Sequence, residues 1–154
     1  MTLADLKRKP VVSMGDGTKI GDVDDLIIDI ASWTIHDLYV ATKTNRGVLP
    51  LANLKNIGPD AVTVESSTAA EWNAKAEGLC FAALKERTVI DGTGTVLGNI
   101  TDLHYESHGA ISSFEVHQGG VLGLGVKITT ITPSEIRRVG EKLVTVEIAS
   151  STAE

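Results

Sequence analysis

The chain has a single cysteine, Cys80, among its 154 residues, which excludes an internal disulfide and a paired-cysteine metal site. Set in a run of small residues, that cysteine reads as a minor hydrophobe of the interior. Aromatic residues make up only 4% of the sequence, so the core must be assembled from Val, Ile, Leu and Ala, whose β-branched members favour strands. No run approaches the roughly 20 apolar residues of a membrane span, and the opening MTLADLKRKP lacks the apolar stretch of a signal peptide. The expected location is the cytoplasm. Positive charge is short as well: 14 Lys and Arg against 20 Asp and Glu give a formal net charge of −6. Binding to polyphosphate is driven by Lys and Arg displacing counterions, so direct nucleic-acid binding is disfavoured.

What is present is a hydrophobic fraction of 42% with 22% charged residues, the balance of a folded globular chain, and a phrase written twice. LADLKRKPVV (3–12) aligns with FAALKERTVI (81–90), and MGDGTKIGDVDDL (14–26) with GTGTVLGNITDL (92–103). IHDLYV (35–40) parallels ISSFEV (111–116), and LKNIGPDAVTVE (54–65) parallels IRRVGEKLVTVE (136–147). Each copy reads as short strands separated by turns. Asp16-Gly17 and Asp91-Gly92 supply tight turns with easy positive φ, and Gly58 and Gly140 turn the chain before each Val-Thr-Val strand. Alternation sends Leu26, Ile28 and Ile30 to one face and Asp25, Ile27 and Asp29 to the other; Leu103 and Tyr105 oppose Asp102, His104 and Glu106 in the second copy. Strands of this length and spacing predict a mainly all-β chain of two small closed antiparallel barrels, since closure removes exposed edges. The expected division is a first repeat over 1–66, a short helical linker over 67–80, a second repeat over 81–150 and a disordered tail over 151–154. The linker is Ala-rich, with Thr68 and Glu71 spaced as a capping box and Gly78 as its stop; Trp72 is expected to pack between the barrels.

These residues resemble the PRC-barrel family, found in the H subunit of photosynthetic reaction centres and in ribosome maturation factors of the RimM type. The resemblance rests on DGTKIGDVDDLIID (16–29), LPLANLKNIGPDAVTVE (49–65) and their second-copy counterparts. It implies two compact, largely antiparallel β-barrels with a short helical turn near LANLKNI and PSEIRRV, and modules of assembly with no shared catalytic residues. Its structural motif falls here on Gly21, Asp25, Gly58, Gly98, Asp102 and Gly140. The second copy departs from the first in a longer glycine-rich segment within 118–136.

Individual residues point to no chemistry. DGTGTVLG spaces its glycines wrongly for a dinucleotide loop and lacks the strand-before, helix-after setting, so a hairpin turn is expected. GGVLGLG (119–125) is not followed by the Lys-Ser/Thr of a phosphate loop. His104 and His108 on a strand are about 13 Å apart, too far to share a metal, and His36 and His117 show no paired ligand. Asp22, Asp24, Asp25 and Asp29 lack calcium-loop spacing; Asp25 and Asp102 read as acceptors for nearby backbone N–H groups. No Ser-His-Asp or Cys-His arrangement stands out. Neither a cofactor nor a metal is expected, and the chain is not expected to be an enzyme.

Lys7, Arg8, Lys9 and Arg137, Arg138 read as a solvated face or, failing that, a dock for an acidic protein surface. Trp33 at a hairpin tip is a second candidate anchor. The functional expectation is a protein-interaction or assembly adaptor with an unidentified protein partner and no membrane span, a homo-oligomer being left open. The alternatives are a ribosome- or RNA-processing-associated factor and a small-ligand-binding protein.

Overall fold

The structure, a computed structural model, describes residues 1–106, 108–119 and 127–148. The expectations for the glycine-rich segment over 120–126 and for the 151–154 tail lie outside the described residues. Repeat 1 opens with a one-turn helix, α1 (Leu3–Leu6), capped by Thr2, whose Oγ1 accepts the Asp5 N–H at 3.2 Å. Six strands of its curled sheet follow: β1 (Pro10–Ser13), β2 (Thr18–Asp29), β3 (Thr34–Ala41), β4 (Arg46–Pro50), β5 (Leu54–Ile57) and β6 (Val62–Val64). After β7 (Glu71–Trp72) and β8 (Leu79–Cys80), repeat 2 runs α2 (Phe81–Leu84), β9 (Thr88–Asp91), β10 (Val96–Tyr105), β11 (Ile111–Gln118), β12 (Lys127–Ile131), β13 (Ile136–Val139) and β14 (Leu143–Val146).

The two sheets have the same order, β5-β6-β1-β2-β3-β4 and β13-β14-β9-β10-β11-β12. Pairing is antiparallel except where the Val-Thr-Val strand returns beside the first strand, β6 along β1 and β14 along β9. Helical turns sit where expected, at Leu51–Asn53 and at Pro133–Glu135, the latter closed by a Thr132/Glu135 capping box. The ladder does not run full circle: among the described residues β4 and β5 are joined through the 3-10 turn, not by strand pairing. The exposed edge of β4 is instead paired with β7, through Gly47 with Trp72 and Val48 with Glu71.

The linker corrects the sequence reading. Its helical part is one 3-10 turn, Ser67–Ala69, and the rest is extended strand and coil. A helix of that length is marginal in water without tertiary support, and here tertiary contacts favour extended chain. Asn73 takes a left-handed φ of 61° and donates its N–H to the Arg46 carbonyl at 2.8 Å. Ala74, Ala76 and Cys80 then cover Ile27, Tyr39 and Val48 on the outer face of repeat 1, and the Tyr39 hydroxyl accepts the Ala76 N–H at 3.2 Å. That face, to which alternation also sends Asp25 and Asp29, is therefore dry around Ile27. Trp72 lies on Gly47 of its own repeat, where a Cβ would stand 2.8 Å from the indole.

Repeat 2 has no such cover among the described residues, and its sequence matches this. The register pairs Asp25 with Tyr39 and Asp102 with Glu115, so Tyr39 and Glu115 are equivalent, as are Ile27 and His104, and Val48 and Thr130. Where the linker covers an apolar trio, the second repeat presents a polar one.

Candidate functional site

The two repeats meet by exchanging their N-terminal segments. Helix α1 of repeat 1 lies against β10 of repeat 2, and α2 of repeat 2 lies against β2 of repeat 1. The Asp25 carboxylate accepts the Ala82 N–H of α2 at 3.2 Å, and Asp102 accepts the Ala4 N–H of α1 at 3.2 Å. Each aspartate also accepts the N–H of the following leucine at 2.8 Å. Ahead of the helices, Cys80 and Leu79 pair with Ile27 and Ile28, while Thr2 bridges to His104 and the Met1 carbonyl accepts the Tyr105 N–H at 2.8 Å. The hairpin turns close the joint from the other side: Ile35 N–H donates to the Gly109 carbonyl at 2.7 Å and Ile111 N–H to the Trp33 carbonyl at 3.0 Å. Each of these main-chain and aspartate contacts has its counterpart from the other repeat, so the chain is built like an internal dimer.

The motif residues follow from this geometry. Asp25 is 3% exposed, as befits a carboxylate whose oxygens are occupied by main-chain donors. Register shifts in the pairing with the next strand, between Val23 and Asp25 and between Ile100 and Asp102, place each aspartate beside a bulge. Gly98 has φ of +123°, and a Cβ there would run into the His117 carbonyl; a Cβ at Gly21 would stand 2.9 Å from the Ala41 carbonyl oxygen. Gly58 and Gly140 have no positive φ; each donates its N–H across a tight turn, to Ala61 and to Leu143. In DGTGT the left-handed residue is Gly94, with φ of 85°, and not Gly92. The Asp91 carboxylate there accepts the Thr93 and Thr95 N–H groups at 2.9 and 3.0 Å. Those donors, with the Thr93 hydroxyl foremost, lower its pKa, and they are the groups a phosphate loop would have needed.

The histidines divide into two settings. His36 Nδ1 lies 2.9 Å from the nearly buried Asp37 carboxylate, whose hydrogen bond and charge raise the imidazole pKa. His104 and His117 flank Glu115 at 2.9 and 3.5 Å, and the hydrogen bond from His104 chiefly lowers the Glu115 pKa. Among the described residues no three His, Cys, Asp or Glu side chains are set to hold a metal ion. Asp22 and Asp24 make exposed ion pairs with Lys19 and Arg46; Arg46 also lies over the Tyr39 ring, 3.7 Å from its centre. Arg137 pairs with Glu147 at 3.2 Å.

Trp33 bridges the repeats through its ring: it meets Phe114 edge-on, centroids 5.5 Å apart. Its outer side lines a shallow groove with Ile30, Arg137 and Arg138. A second groove runs along the other flank of Ile30, lined by Asp29, His36 and Glu77. The basic residue Lys9 lies apart from these, in a groove with Met1, Asp5, Gly58 and Tyr105. Strand alternation sets Ile30 on the face of Leu26 and Ile28, yet it is 43% exposed, because β2 ends at Asp29 and the chain turns out of the sheet there. Glu77 carried no sequence signal, its position depending on the extended path of the linker.

A duplicated, mostly β chain of two curled small sheets, each with a one-turn helix before its first strand and a Gly/Asp pair on its longest strand, is a tandem-barrel protein. The model of the PRC-barrel domain matches residues 1–71 and again 81–152, and the chain belongs to that family as a tandem pair. No curated protein matches the chain. Among the described residues no helix is long and apolar enough to cross a membrane.

Proposed function

We propose that this chain is a non-enzymatic adaptor of the cytoplasm, which holds a protein complex together through the outer surfaces of its two interlocked barrels. The observation that carries the reading is the filling of the interiors: Leu26, Ile28, Leu38, Leu103 and Phe114 are all fully buried. Barrels of this size are filled by their own side chains, which leaves the outer surface for recognition. Two barrel surfaces tethered on one chain raise the effective concentration at which the second engages the same complex. The net charge of −6 favours protein over polyphosphate as that partner.

The test is affinity purification of the tagged chain from its host at native expression, with mass spectrometry of the bound material. The adaptor reading expects one recurrent protein complex that persists as salt is raised. Ribosomal particles released steeply by salt would overturn it in favour of RNA association. An empty list, with a thermal shift on adding a small ligand, would overturn it in favour of ligand binding.

A further inference from the structure

Ile30 is the shared wall of two grooves with opposite charge. One flank carries Asp29 and Glu77 beside His36; the other carries Trp33, Arg137 and Arg138. Asp29 uses one carboxylate oxygen to accept the Ala31 N–H at 2.9 Å, and Arg137 is held by Glu147. Glu77 and Arg138 are exposed and have no ion-pair partner among the described residues. An exposed apolar wall between an unpaired anion and an unpaired cation is the pattern of a surface that complements itself under a twofold rotation.

We propose that this surface docks a second copy of the chain, with Ile30 and Trp33 near a twofold axis and Glu77 of each protomer facing Arg138 of the other. A partner of a single charge sign would be attracted on one flank and repelled on the other. A second copy presents both signs in reversed order and satisfies both flanks. The net charge of −6 on each copy opposes approach at long range, but at physiological ionic strength that repulsion is screened within about 8 Å, leaving the local pairing to decide. The inference is independent of the adaptor reading, because it concerns the chain alone.

Sedimentation velocity on the purified full chain at rising concentration tests it. Glu77→Arg and Arg138→Glu are the variants, and circular dichroism checks their folds. The expected result is a reversible dimer that each variant weakens at least about ten-fold, since either change sets like charges opposite each other at both ends of the interface. Mixing the two variants in equal amounts restores dimerisation, because every facing pair in the mixed dimer is again opposite in sign. A wild-type chain that stays monomeric throughout overturns the proposal. So does a dimer indifferent to both variants, or a mixture that fails to recover.

Discussion

Asp25 and Asp102 show how a single residue type ties sequence repetition to architecture. Each carboxylate caps the main chain of a helix contributed by the other repeat, so its removal strands a donor at the joint. Asp25→Ala is expected to cost about 1–3 kcal/mol, the cost of leaving a buried N–H unpaired. Asp102 is less buried, and Asp102→Ala should cost less; urea unfolding of the two variants measures the difference. Tyr105 gives the joint a dependence on alkaline pH. It is 3% exposed, and burial, aided by the charge of Asp5, pushes its phenol up to about 12. The unfolded chain releases this proton near pH 10, so between about pH 10 and 12 the unfolded state binds fewer protons than the folded one and stability falls as pH rises. The wild type should lose on the order of 2 kcal/mol across that window, and Tyr105→Phe should lose less, as read by urea unfolding at successive pH values.

Among the elements, β2 and β10 do most to set the fold, and their behaviour was the most legible in the sequence. The Gly and Asp-Leu signatures act on their own neighbourhood, through turns, bulges and carboxylate-to-backbone bonds, and local causes can be read locally. Gly98 gives the sharpest case: with φ of +123° and the His117 carbonyl where a Cβ would go, Gly98→Ala should cost at least about 2 kcal/mol. Gly58→Ala meets only the Ala61 carbonyl oxygen at 3.3 Å and has no positive φ, so it should be milder in the same thermal or urea series. The linker was misread for the converse reason. Its Ala, Glu and Lys content favours helix locally, whereas Asn73, Gly78 and the Tyr39 hydroxyl hold it extended over a face that only the folded sheet creates. Nor could the one-turn helices LADL and FAAL reveal which barrel each would dock on, since their Leu and Phe pattern is the same either way. The outer-face contrast of Ile27 and Tyr39 with His104 and Glu115 lies within the aligned stretches, whereas that of Val48 with Thr130 falls where the copies differ in length and needs the strand register; both acquire meaning only once the linker's path is known.

At the scale of the whole molecule, the buried side chains form a main core that takes in α1, α2 and both sheets, with Ile27, Tyr39 and Val48 as a separate small cluster under the linker. Trp33 and Phe114 join the two repeats within it. The exchange of helices means that neither sheet is covered by its own N-terminal segment alone, so the two barrels are expected to fold and unfold as one unit. Two independent small barrels would each bury less of their surface and would open separately. Hydrogen exchange under increasing urea, followed in β2–β3 and in β10–β11, in the wild type and in Asp102→Ala, tests this most directly. The prediction is a common opening free energy for the two hairpins, lowered by the same amount in both when α1 loses its cap on β10. Different free energies for the two hairpins, or a loss confined to β10–β11, would contradict it.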